Sequence, residues 1–177
     1  MINYLSGSER EILGLLCIYP STEFSYREIE RKTGESIGTV SKYVKIVEKK
    51  ELVKVRSAAR AKFVRANTES QDFVSFKKIY NLEILHISGL IYHLNQTLHP
   101  DSIILFGSFS SGTDHEKSDI DIAVIHGRET ELDLSVYEKK MNRRISLTRI
   151  KNIKKSSNEF KNTLANGIVL SGYIEVV

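Results

Sequence analysis

The sequence predicts an α+β chain of two modules joined by a helical connector. Three observations carry this. Residues 8–66 read as three helical patterns followed by two short β-like runs. Residues 71–99 hold one long apolar stripe at helical spacing. Residues 102–177 alternate short apolar runs with helical patterns, and one of those runs carries paired acids, Asp119 and Asp121. The expected modules are 1–67, the connector 68–99, and 100–177.

The first helix is expected from about Glu9 to Tyr19. Ser8 and Glu11 have capping-box spacing, Ile12, Leu15, Leu16 and Tyr19 form a stripe, and Pro20 stops it. Ser25 and Glu28 form a second capping box, which opens a helix from Tyr26 to Lys32 that ends near Gly34. Ser36 starts a third helix, with Ile37, Val40, Val44 and Val47 on one side. The β-like runs Leu52 to Ser57 and Lys62 to Ala66 follow, split by Ala58-Ala59-Arg60-Ala61.

In the connector, Phe73, Phe76, Tyr80, Ile84, Ile87, Ile91, Leu94 and Leu98 recur at steps of three or four. The pattern fits one helix, or two bent near Ser88-Gly89. The stripe either packs against the chain's own domains or pairs two chains as a coiled-coil seam, giving a homodimer. His86 and His93 read as ordinary helix residues, because no third ligand is near at metal-site spacing.

The last module starts with a strand, Ser102 to Phe106, a turn at Gly107, and a short helix to Ser111. A polar loop leads to a strand from Asp119 to Ile125. Asp133 is read as the N-cap of a helix reaching Met141. A third strand covers Ile145 to Ile150, a helix covers Ser157 to Asn166, and a last strand covers Ile168 to Val177.

The chemistry concentrates between Ile103 and Val124. Two carboxylates one residue apart on a strand point the same way. Their repulsion is relieved by a divalent cation, and Mg²⁺ favours a few carboxylates plus substrate phosphates. Gly107 and Ser108 end a strand where backbone N–H groups and a hydroxyl suit a phosphate. Together these groups match the needs of phosphoryl or nucleotidyl transfer.

Gly107-Ser108, ten residues, then Asp119-Ile120-Asp121 resembles the signature of the polymerase-beta-like nucleotidyltransferases, above all the minimal ones of prokaryotes. Leu105-Phe106 and Ser118 to Ile122 extend the likeness, which covers roughly residues 94–177. The resemblance implies a small mixed-sheet domain with an NTP as substrate or ligand. Gly107 and Ser108 would then touch the nucleotide, and Asp119 and Asp121 would serve as catalytic ligands of Mg²⁺ or Mn²⁺. A third acid is expected on the next strand, but the apolar-acid-apolar pattern puts Ser146 there. Asp133 mimics the pattern only twelve residues after Asp121, which leaves little room for a helix. Ser146 leaves nucleotide binding better supported than turnover. Lys117, Arg143 and Arg144 are candidates for phosphate; His115 and His126 lie near the motif without an assigned role.

The order helix, helix, turn, helix, hairpin in residues 6–66 resembles a winged helix-turn-helix domain. That resemblance implies binding of double-stranded DNA, with the third helix in the major groove and the hairpin as wing. Ser36, Thr39, Ser41, Lys42 and Lys45 would face bases or phosphates, and Arg56, Arg60, Lys62 and Arg65 would sit on the wing. Charge agrees. The chain of 177 residues carries +4, and residues 1–66 hold 13 Lys and Arg against 8 acids, whereas the rest holds 13 against 14. An anionic partner is expected for the basic part.

Hydrophobic content of 41% and charged content of 27% fit a globular protein. No apolar run nears the ~20 residues of a membrane span, and no signal peptide is read, so a cytoplasmic protein is expected. Cys17 lies among Leu15, Leu16 and Ile18 and reads as core. Three functions remain in view. One is a DNA-binding protein that binds NTP-Mg and transfers a nucleoside monophosphate to an acceptor. Another is a transcription regulator with a degenerate nucleotidyltransferase fold used for sensing or dimerisation. The third is an antitoxin-like nucleotidyltransferase acting on a partner protein.

Overall fold

The computed structural model describes residues 7–58 and 61–174. The chain divides into two units, Met1–Tyr80 and Asn81–Val177. Arg60 and the end of the expected last strand, residues 175–177, lie outside the described residues.

The first unit holds helices α1 (Gly7–Ile18), α2 (Tyr26–Thr33) and α3 (Ile37–Lys49). Its three-stranded antiparallel sheet runs in the order β1 (Phe24–Ser25), β3 (Ala61–Ala66), β2 (Val53–Ala58). Helix α1 already includes Ser8, so Ser8 is not its cap. The second capping box forms as expected: Ser25 Oγ accepts from the Glu28 amide while the Glu28 carboxylate accepts from the Ser25 amide at 2.7 Å. Each satisfies a donor that the first turn would leave open. Gly34 ends α2 in the left-handed region, and Ser36 caps α3 through the Thr39 amide. Strand β1 was not expected. It has only two residues, too few to show alternation, and pairs Phe24 with Val64.

Apolar faces of the three helices meet the sheet. Ile12, Leu13, Leu16, Ile29, Val40, Val44, Val47 and Val64 are fully buried, with Cys17 among them as expected. Each such side chain contributes about 1.5–3 kcal/mol of burial, so this stripe, not propensity, fixes the helices. Phe73, Phe76 and Tyr80 of α4 (Gln71–Ser88) add to the same core.

The connector is two helices, α4 and α5 (Leu90–Leu98). Gly89 separates them at φ +83, a conformation that costs glycine little and other residues more. Leu85 and Leu90 are fully buried, while Ile87 is 72% exposed. The expectation that Ile87 continues the apolar face is corrected: Ile87 lies within α4, ahead of the Gly89 break, and the side of that last stretch which enters the second core carries Leu85 instead. His86 is exposed, and His93 stacks on Tyr137 with ring centroids 5.3 Å apart.

The second unit is built on a mixed four-stranded sheet in the order β6 (Ile145–Ile150), β5 (Ile120–Ile125), β4 (Ser102–Phe106), β7 (Ile168–Gly172). Strands β5 and β6 are parallel; the other neighbours are antiparallel. Helix α6 (Gly107–Ser111) follows β4, α7 (Ser135–Met141) lies between β5 and β6, and α8 (Asn158–Ala165) precedes β7. A short 3-10 turn, Ile153–Lys155, was not expected. Ile103, Leu105, Ile122 and Val124 pack with α5 residues on one sheet face. Ile104, Ala123, Ile125 and Ile150 pack with Leu164 of α8 on the other. Both faces are thus covered, which explains the unbroken apolar runs.

Candidate functional site

The site grows from the β4–β5 pair. Phe106 pairs with Asp121 across that ladder, and Asp121 pairs with Ser146 across the parallel β5–β6 ladder. Alternation places Asp121 and Ser146 on the face of Ala123, Ile125 and Ile150. Asp119 lies immediately before β5. Ser146 therefore stands beside Asp121, at the position where a third carboxylate was expected.

Gly107 is required by two features at once. Its φ is +72, in the left-handed region, and a Cβ there would stand 2.5 Å from Asp121 Oδ2. The backbone of the turn and the carboxylate approach so closely that any side chain would fill the space. Ser108 is half-buried, and its carbonyl accepts the Thr113 amide at 3.0 Å. Ser110 Oγ donates to the Gly107 carbonyl at 2.8 Å, which ties down the turn.

Burial pushes the Asp121 carboxyl above the usual carboxylate range, and the Asp119 charge pushes it further. The Ser146 hydroxyl donates to Asp121 and offsets part of this. A carboxylate whose charged form is disfavoured by burial and by a neighbouring acid suits a cation, since a bound positive charge relieves both. No cluster of three or more acid, His or Cys side chains fit to hold a metal occurs among the described residues.

Asp133 does not supply the missing acid. It is exposed, precedes α7, and its Oδ1 accepts from the Ser135 amide at 2.9 Å. The helix cap by position is Leu134, so Asp133 serves the first turn from one residue outside. The Ser135 hydroxyl and amide hold the Asp133 carboxyl below its usual range.

The loop into Asp119 is anchored by buried polar groups that sequence reasoning missed. Asn81 donates through Nδ2 to Asp114 Oδ1 at 2.8 Å and to the Phe109 carbonyl at 2.9 Å. Asp114 Oδ2 lies 3.8 Å from Arg143, and both side chains are nearly inaccessible. The only sequence signal was a polar residue within the α4 stripe. Arg143 is thus engaged in the fold, whereas Lys117 and Arg144 are exposed. His115 accepts the Lys117 amide through Nδ1 at 3.2 Å, within the loop. His126 is at the opposite end of β5, against Asp101 at 2.7 Å, away from the motif.

In the first unit, Ser36 and Thr39 are joined in the α3 cap, their hydroxyls 2.9 Å apart. Ser41 is half-buried, and Lys42, Lys45, Lys62 and Arg65 are exposed. Arg56 is held by both carboxylate oxygens of Glu23 and lies over the Phe63 ring, 5.0 Å from its centroid.

A small sheet domain that presents paired acids to a glycine-backed turn belongs to the class of phosphate-handling α+β domains. The match is specific: residues 89–173 fit the family described as Polymerase beta, Nucleotidyltransferase. The chain therefore carries a polymerase-beta-like nucleotidyltransferase domain, in just under half of its length. No curated protein matches the chain at a significant level. The family typically uses Mg²⁺ and an NTP, and the cleared space at Gly107 with two mutually repelling acids fits both. No helix among the described residues is long and apolar enough to cross a membrane.

Proposed function

We propose that the C-terminal unit binds a nucleoside triphosphate with a divalent cation and moves its nucleoside monophosphate to an acceptor hydroxyl. The observation that carries this is the Gly107–Asp121 approach, 2.5 Å from a hypothetical Cβ to Oδ2. A turn that must be glycine, pressed against an acid, is the form of a backbone cradle beside a metal ligand.

Asp119 and Asp121 would hold the cation, and Gly107 with Ser108 would receive the phosphates. The cation supplies charge neutralisation at the reacting phosphate. The residues of this chain orient the triphosphate and keep the two acids fixed on one strand edge. In the transfer, the acceptor oxygen bonds to the α-phosphorus. The bond from that phosphorus to the bridging oxygen breaks, pyrophosphate leaves with the electron pair, and the hydroxyl proton goes to water. Ser146 can take no proton at neutral pH, so turnover lacks a fixed base on β6 and is expected to be slow.

The test is a thermal shift. ATP with Mg²⁺ or Mn²⁺ is expected to raise Tm, and Asp119→Ala with Asp121→Ala to abolish the rise. No rise with any of the common NTPs would sink the proposal.

Ser146 also favours a second reading, a regulator in which the nucleotide site senses instead of catalysing. In this reading the N-terminal unit is a winged helix that binds duplex DNA through Lys42, Lys45 and Lys62, all exposed on α3 and β3. Incubation with NTP labelled at the α-phosphate separates the two. Label transferred to any acceptor supports the enzyme; nucleotide-dependent DNA affinity without label supports the regulator.

A further inference from the structure

The two acids of the proposed cation pair are held differently. The Asp121 carboxylate accepts from the Ser146 hydroxyl. The Asp119 carboxylate accepts no hydrogen bond from a described residue. A carboxylate that ligates a metal is ordinarily oriented by a hydrogen bond from behind. Asp119 therefore takes its direction from the backbone, and the backbone there is the polar loop of residues 112–119 between α6 and β5.

Both ends of that loop are tied to one dipeptide. Asp114 faces the Arg143 side chain at 3.8 Å, and the Ile120 amide donates to the Arg144 carbonyl at 2.8 Å. Between these ties the chain closes on itself. The His115 amide donates to Ser118 Oγ, and the Ser118 amide donates to the His115 carbonyl, each at 3.0 Å. Little slack is left to absorb a shift of Asp114 before it reaches Asp119. Asn81 joins the same loop to the phosphate turn. Its Nδ2 donates to Asp114 Oδ1 at 2.8 Å and to the carbonyl of Phe109, the residue after Ser108, at 2.9 Å. The Thr113 amide adds a tie to the Ser108 carbonyl at 3.0 Å.

Asn81, Asp114 and Arg143 are all buried. Taking a carboxylate and a guanidinium out of water costs so much that an apolar pair of similar volume is often as stabilising or more so. Stability alone gives no reason for charges at this place. Direction does, because an apolar pair can slide, whereas a carboxylate shared between an amide and a guanidinium fixes how the loop sits. We infer that Asp114 is a positioning residue of the cation site: gripped by Asn81 and Arg143, it sets where Asp119 stands relative to Asp121 and the Gly107–Ser108 turn. The inference rests on the nucleotidyl-transfer reading and states what holds its metal site in shape.

The test uses Asp114→Leu/Arg143→Met in the full-length protein, since this pair of changes leaves no charge buried alone. Mn²⁺ binding is followed by electron paramagnetic resonance well below the unfolding transition, with and without ATP. Amide hydrogen exchange is followed in the metal-free protein. The double variant is expected to unfold near the wild-type Tm, yet to bind Mn²⁺ at least about tenfold more weakly and to lose protection at the Ile120 amide. Mn²⁺ affinity that returns together with stability overturns the inference, because the pair then acts only by holding the fold. Asn81→Ala keeps both charges and removes only the link from Phe109 to Asp114. It is expected to weaken Mn²⁺ binding by a smaller factor and to decide the matter alone if the double variant does not fold; unchanged affinity in it overturns the inference. Failure of the nucleotide reading looks different: the wild type takes no Mn²⁺ with or without ATP while the variants still lose Ile120 protection, which removes the cation and leaves Asp114 as the residue that places Asp119.

Discussion

Asp121 has its ionised form disfavoured by burial and by Asp119. Its folded pKa is raised, so its stabilising contribution is complete below the ordinary carboxylate range and is lost as pH rises through the raised value. Asp121→Asn is therefore expected to raise stability at neutral pH in the presence of a chelator. The gain should vanish in acid, where both residues are neutral. Urea unfolding at the two pH values measures this, and a destabilised variant at neutral pH would contradict it. Gly107→Ala meets both the φ of +72 and the 2.5 Å approach to Asp121. It is expected to lower stability by more than the ~1 kcal/mol typical of a left-handed penalty and to remove the Tm response to ATP with Mg²⁺. Ser146→Asp places a third carboxylate beside Asp121. It should tighten Mn²⁺ binding at least about tenfold and lower metal-free stability, both measurable by calorimetry; unchanged affinity would show that β6 does not face the cation. The place of Ser146 was legible from its apolar-x-apolar setting, and the observed Asp121–Ser146 pairing puts it there. What Gly107 faces was not legible, because that depends on the β4–β5 register, which no local pattern states.

Among the elements, the strands of the second unit were the most legible. Ser102–Phe106 and Ile145–Ile150 coincide with their expected bounds, the first because its apolar run ends at Gly107 and the second because its alternation of apolar and polar residues is bounded by Arg144 and Lys151. The connector was legible as helix but not as a register. Ile87 lies in α4 ahead of the Gly89 break, and the side of that helix which enters the second core carries Leu85 instead, so Ile87 is left outside the core that periodicity assigned to it. Long-range polar contacts were the least legible: Asn81 meets Asp114 across 33 residues of sequence, and only the folded sheet brings them together. That contact fixes the loop between α6 and β5. Asp114→Ala removes the carboxylate facing the buried Arg143, and breaking such a pair costs about 3–5 kcal/mol. The pairing distance is long at 3.8 Å, so the lower end is expected. Asp114→Leu with Arg143→Met should recover most of the loss, because no buried charge is then left alone. A double-mutant cycle by chemical denaturation tests this, and additive losses would place the stability of the loop elsewhere.

For the whole molecule, charge is the property that divides the chain. Residues 1–66 carry 13 Lys and Arg against 8 acids, and the remainder carries 13 against 14. Pattern and charge together suggested a DNA reader, but side-chain placement narrows which cations are available. Arg56 is neutralised by Glu23, and Lys54 pairs with Glu69 at 2.5 Å. Lys42, Lys45 and Lys62 stay exposed, with no ion pair to a described residue. If the proposed winged helix binds duplex DNA, these three should carry the counterion release. Full-length protein is then expected to retard duplex DNA at low salt, with log K falling linearly against log salt. Each of Lys42→Ala, Lys45→Ala and Lys62→Ala should reduce the slope by about 1. Arg56→Ala should change it less, because a guanidinium already facing the Glu23 carboxylate is less free to neutralise a phosphate and displace its condensed cation. Asp119→Ala with Asp121→Ala should leave the slope as it is, since neither residue belongs to the basic unit. A slope that is flat in the wild type, or one that responds to Arg56 more than to Lys42 and Lys45, would assign the positive excess of this unit to something other than a nucleic-acid backbone.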